Sequence, residues 1–128
     1  MTYQSVARAA AAALAPTFGQ ELVFAVEDRL ARRRAYGVDT AIALASLLIA
    51  AAQFVHTLLQ DARTTPPAAQ VLERRTHLHL EQDFAGLDRI TRGERDRIVA
   101  EVVARALTYN RQGRLMDRPP GSGLDLEG

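Results

Sequence analysis

Three residues come closest to a chemical constellation: His77, His79 and Glu81, in the run Thr76-His77-Leu78-His79-Leu80-Glu81-Gln82-Asp83-Phe84. On an extended strand alternate residues share a face, so two imidazoles and a carboxylate would point one way and Leu78 and Leu80 the other. Such a triad could supply three ligands to zinc or iron and leave a position for water. Alternation alone, however, demands some polar residue at every outward position of a half-buried strand. No fourth ligand, general base or supporting partner is identifiable around the three. The expectation is a solvated face with no metal and no cofactor; a metal-dependent enzyme built on His77, His79 and Glu81 is the alternative.

The second cluster is Arg29, Arg32, Arg33 and Arg34. Guanidinium forks recognise phosphate and carboxylate in bidentate fashion, which would make an anion or lipid-headgroup site. The same residues crowd the end of a helix, where positive charge complements the macrodipole. Composition favours the second explanation. All sixteen basic residues are arginine and alanine occurs 23 times, a bias that GC-rich codon usage produces. Fifteen acidic residues interspersed among them leave a net charge of +1, so there is no global field to hold nucleic acid, and none is expected as a partner.

Other catalytic chemistry is thinly represented. With no cysteine, disulfide frameworks, thiolate zinc sites, iron-sulfur clusters and cysteine nucleophiles are excluded. There is no glycine-rich phosphate loop and no Gly-x-Ser-x-Gly, and the adjacent carboxylates Glu27 and Asp28 would diverge on a helix. The chain therefore reads as non-enzymatic.

The elements that must position these residues are mainly helical. Residues 2–15 form an alanine-rich helix capped by Thr2 and ended by Pro16. It is either packed closely through small side chains or loosely attached. Thr17 and Gln20 have the spacing of a capping box that opens a second helix reaching Ala35, with Gly37 at the left-handed C-terminal position. Thr64-Thr65-Pro66-Pro67 forms a stiff hinge, and residues 76–84 a short β segment needing a partner for its backbone. Thr91 and Glu94 form a second capping box ahead of an amphipathic helix over 92–109. Residues 1–110 thus make one domain, and 111–128, rich in glycine and proline, a flexible tail.

Residues 40–60 are the most informative segment, because they contain no formal charge. As a helix they extend about 31 Å, enough to cross the hydrocarbon core of a bilayer. Asp39, Ser46, Gln53 and Gln60 recur every seven residues and draw a polar stripe along the rod, and Gln53 and His56 oppose insertion. Three environments are open to it: the centre of a soluble bundle with the stripe at the water edge, a self-association surface, or a membrane span with residues 29–34 on the cytoplasmic side.

The sequence of a long uncharged helix, a proline-bearing hinge, an arginine-flanked alternating segment and a helix bearing Glu94-Arg95-Asp96-Arg97-Ile98-Val99 resembles small accessory modules of bacterial conflict systems. Those modules accompany caspase-like, trypsin-like or nucleotide-switch effectors. The resemblance covers residues 38–109 and implies a non-enzymatic adaptor or anchor with a protein effector as partner; it transfers no catalytic residue. The chain is accordingly expected to be a small, mainly α bundle of about four helices with one short β segment, oligomeric and cytoplasmic. Inner-membrane association is the alternative. The interface would use Ile42, Leu48, Ile49, Ala52 and Leu59 on the long helix and Leu78 and Leu80 on the β segment.

Overall fold

The computed structural model describes residues 2–32, 39–61 and 67–116. They form five α-helices, Tyr3–Phe18 (α1), Gln20–Leu30 (α2), Asp39–Asp61 (α3), Ala69–Asp83 (α4) and Arg92–Met116 (α5), with a short 3-10 turn at Leu87–Arg89 before α5. The chain is mainly α, as its periodicities imply. Among the described residues there is no strand.

α3 lies at the centre, with α1, α2, α4 and α5 all packed against it. Leu44, Leu47, Leu48, Ala51, Val55 and Leu59 are its buried face. α1 approaches through Val6, Ala7 and Ala10, each fully buried, so the alanine-rich helix is attached closely through small side chains. α5 contributes Ile98, Val99, Val102 and Val103. Its start is the reciprocal box expected from the sequence: the Thr91 amide donates to Glu94 Oε1 (2.9 Å) and the Glu94 amide to Thr91 Oγ1 (3.1 Å).

The segment expected to be a β segment is the second half of α4. Leu72, Thr76 and Leu80 are buried at i, i+4 and i+8, a helical repeat that the His-Leu-His-Leu alternation conceals. A lone strand would have left its backbone unpaired, whereas a helix satisfies it locally. Thr76 is accommodated at no polar cost, because its hydroxyl donates to the Leu72 carbonyl at 2.7 Å.

Helix ends also differ from expectation. α1 runs through Pro16 to Phe18, so Thr17 lies within α1 and caps nothing. Pro16 removes one bond to Ala12, but both residues are exposed and water can serve the freed carbonyl. The chain turns instead at Gly19, whose φ of 93° and ψ of 163° lie in a region essentially restricted to glycine. α2 stops at Leu30, and Arg32 adopts the left-handed conformation (φ 57°) expected of Gly37, which lies outside the described residues with Arg33 and Arg34. α5 continues to Met116, six residues into the expected tail, because Arg111, Gln112, Leu115 and Met116 are good helix formers that outweigh Gly113. The hinge residues 64–66 and the tail beyond 116 lie outside the described residues.

The Gly19 elbow supplies a test. A Cβ there would meet no atom within 4 Å, so substitution is penalised only through backbone conformation. Gly19→Ala is expected to lower stability by about 1–3 kcal/mol in urea unfolding. Gly86→Asn, at an ordinary left-handed position (φ 88°, ψ 12°), should cost distinctly less. Equal midpoints for Gly19→Ala and the unaltered chain would mean that the elbow relaxes into another conformation.

Candidate functional site

A helix turns about 100° per residue, so His77 and His79, two apart on α4, face directions about 200° apart. Their surroundings differ accordingly. His77 Nε2 lies 3.5 Å from Asp96 Oδ1 on α5. His79 stacks on Phe54 of α3, with ring centroids 4.2 Å apart and planes inclined by 8°, and its Nδ1 lies 3.1 Å from Asp83 Oδ2 one turn on. Glu81 Oε2 accepts from Nη1 of the buried Arg95 at 3.4 Å. The three candidate ligands thus face three different partners, and no group of three or more metal-ligating side chains is assembled among the described residues.

The expected interface residues divide in two. Leu48, Ala52, Leu59 and Leu80 are sealed in the chain's own core, because α3 and α4 find their partners within the molecule. They are core residues and not surface ones. Ile42 and Ile49 are half-buried, and Leu78 is 51% exposed, so these three remain accessible.

Ile42 and Ile49 belong to a groove along a face of α3 that its described neighbours leave uncovered. Two hollows of about 360 and 280 Å³ adjoin there and share Ser46 and Phe84. Ile49, Ala50, Ser46 and Gln53 form the floor of the larger, Tyr3, Arg29, Leu30 and Arg32 one wall, and Phe84 the other. The smaller continues over Ile42 and Ala43 to Gly86 and Arg89. Two members of the heptad-spaced stripe lie on this floor: Ser46 donates to the Ile42 carbonyl at 2.9 Å, and Gln53 is exposed.

The charge of the groove is one-sided. Among the described side chains Arg29, Arg32 and Arg89 line it and no carboxylate does, and these three guanidinium groups enter no ion pair there. In a molecule whose net charge is only +1, this concentrates positive potential in one concave place. Arg29 lies in the last turn of α2, where it also complements the helix dipole, so the two explanations of the arginine cluster coexist at that residue. Arg32 reaches the groove from a left-handed backbone, which costs roughly 1–2 kcal/mol for a residue with a Cβ. Chemically, the arrangement suits binding of a negatively charged surface that adds a limited apolar contact with Ile42 and Ile49.

Sequence reasoning found Ile42, Ile49, Arg29 and Arg32 but missed Tyr3, Phe84 and Arg89. No local signal marked these. Arg89 stands 57 residues from Arg32 in the chain, and only the antiparallel return of α4 along α3 places it on the same groove. Compared with family models, with curated proteins and with solved structures, the chain matches none.

The stacked pair generates an expectation. His79→Ala should lower stability by about 0.5–1.5 kcal/mol through loss of the ring contact with Phe54. That exceeds the roughly 0.5 kcal/mol typical of a surface substitution. Stoichiometric zinc should leave the thermal midpoint of the unaltered protein unchanged. A rise of several degrees that vanishes in His77→Ala/His79→Ala would instead establish a metal site.

Proposed function

We propose that this chain is a non-enzymatic assembly or adaptor module that works in the cytoplasm by holding a protein surface in the groove along α3. The observation that carries the reading is the groove itself, an open hollow with a mixed polar and apolar floor and, on both walls, arginines that enter no ion pair among the described residues. Enzyme clefts converge acids, bases or nucleophiles on a reacting atom. This one converges shape and one sign of charge, which are the properties of a recognition surface. The resemblance to accessory modules of conflict systems agrees with it in kind and names a protein effector as a further partner class. One component of that resemblance, the alternating strand, is helical here.

A second reading rests on α3. One helix, residues 40–61, is long and apolar enough to cross a membrane, with mean hydropathy 2.0 and 44% of its most apolar stretch buried within the molecule. A membrane-anchored module would expose this helix to lipid by opening the bundle. The recognition reading is preferred because it uses the bundle as folded.

Ile49 at the floor of the groove discriminates. Ile49→Arg adds a fourth cation to an already positive hollow and removes apolar contact surface. The unaltered chain should sediment above 14.0 kDa at micromolar concentration, and the variant should shift toward monomer with an unchanged helical circular dichroism spectrum. A single 14.0 kDa species at every concentration would overturn self-assembly. Recovery only with detergent after cell breakage would replace the soluble module by the membrane-anchored one.

A further inference from the structure

We infer that the groove's occupant is the acidic segment Leu124-Asp125-Leu126-Glu127 of a second copy of this chain, so that two copies assemble by laying their tails along each other's α3. The inference rests on the assembly reading above and names the surface that the groove holds.

The sequence past α5 supplies the charge that the groove lacks. Arg118 is the last arginine of the chain, and in residues 119–128 the only charged side chains are Asp125 and Glu127. Asp117 has Arg118 beside it, whereas Asp125 and Glu127 have no base near them in sequence and alternate with two leucines. In an extended segment Leu124 and Leu126 face one way and the two carboxylates the other. That division matches the groove, where Ile42 and Ile49 lie on the floor and Arg29, Arg32 and Arg89 along the walls. The leucines can settle on the isoleucines while the carboxylates meet guanidinium forks suited to bidentate pairing. Lengths agree as well. Ile42 and Ile49 are about 10 Å apart along α3, and residues 124–127 span about 10 Å when extended.

Reach decides which copy supplies the tail. α5 leaves the Arg89 end of the groove and, as a straight helix of 25 residues, carries Met116 about 36 Å away from its start. Arg89 stands three residues before that start, about 10 Å at most, which leaves Met116 no nearer to it than about 26 Å. Asp125 is nine residues past Met116 and reaches about 30 Å at full extension. A chain's own tail therefore meets Arg89 only when drawn almost straight. The tail of a second copy carries no such constraint, with residues 117–123 as its spacer. Reciprocal exchange fills both grooves and closes the assembly as a dimer.

Full-length variants test this, with sedimentation equilibrium as the measure of mass. The chain has no tryptophan, so Leu126→Trp supplies a single indole whose emission reports burial of the tail. That emission is expected to be blue-shifted at high concentration and to move to the position of indole in water on dilution. Asp125→Arg with Glu127→Arg, and separately Arg32→Glu with Arg89→Glu, should each raise the dimer dissociation constant roughly ten-fold or more. Circular dichroism melting of the dilute monomers should not change, since Arg32 and Arg89 are exposed. Mixing the two charge-reversed proteins should restore association, because the reversed tail meets the reversed groove and the native tail the native one. Unchanged dissociation constants for both reversals, with Ile49→Arg still disrupting assembly, would overturn this contact and leave the assembly reading standing. An assembled protein whose indole emits as in water would do the same and give the groove another occupant, residues 33–38 of its own chain among the candidates. Failure of the mixture to associate would likewise overturn the contact, and a mass that grows past the dimer would refute reciprocal closure. A monomer at every concentration with a blue-shifted indole would place the tail in its own groove and overturn exchange between copies. A monomer whose indole emits as in water would refute both inferences.

Discussion

The central constraint on this molecule is the burial of α3, because twenty-one consecutive residues without formal charge cannot stand in water alone. At roughly 25 cal/mol for each Å² of apolar surface, covering such a rod outweighs any local preference of the flanking segments. It takes four helices to do so, and each contributes a different kind of side chain. α1 supplies alanines that permit close approach, α2 and α4 short leucine-centred faces, and α5 a run of β-branched residues. Two of the covering helices, α1 and α2, are joined through Gly19 and also tied by Arg8, whose Nε donates to Glu27 at 2.7 Å. That pair is half-exposed and contributes little to stability, so the elbow depends mainly on glycine's backbone freedom and on the packing below it.

Covering is incomplete on one side, and the groove is what remains. The wall formed by Tyr3 and the end of α2 and the wall formed by Phe84 and the 3-10 turn stand apart over Ser46, Ile49, Ala50 and Gln53. Ser46 and Gln53 of the heptad-spaced set lie in this gap, a side of α3 that its described neighbours leave open to water. The same pattern that keeps the rod soluble thus also leaves a mixed floor, in which Ile42 and Ile49 stay half-exposed between hydrogen-bonding groups. Arginines at the rim have long aliphatic stems that lie along apolar surface and keep their charge in water, so they border such a gap at small cost.

How much of this could be read from residues alone depended on whether the signal was local. The Thr91–Glu94 box requires only three-residue spacing and was legible. The uncharged stretch of α3 declared itself by length. α4 was misread because two repeats overlap: Leu78 and Leu80 satisfy a two-residue alternation, while Leu72, Thr76 and Leu80 satisfy the helical one, and the buried member that decides between them is a threonine. Propensity tables discount threonine in a helix core, but they omit the bond its hydroxyl returns to the preceding turn. The dissolution of the His77, His79 and Glu81 triad followed directly from that error. Arg29 and Arg32 were legible as a cluster, whereas Arg89 was not, because its role is created by tertiary return.

The polar stripe also bears on the two environments proposed for α3. Within a bilayer every polar group must be satisfied without water. Ser46 and Thr57 already meet that condition, since their hydroxyls donate to the carbonyls of Ile42 and Gln53 at 2.9 and 3.0 Å. Gln53 and Gln60 do not meet it through any such bond and are exposed, whereas His56 Nδ1 is buried with no hydrogen-bond partner among the described residues. The stripe is therefore of two kinds: hydroxyls that any environment tolerates, and exposed amides that favour an aqueous edge. The second kind occupies the C-terminal half of α3, at 53 and 60, while the larger arginine-walled hollow extends from the middle of the helix down to Gln53. A surface that needs both contact with a partner and residual hydration would be arranged this way, with its apolar anchor points at Ile42 and Ile49 and its wet margin toward Gln60.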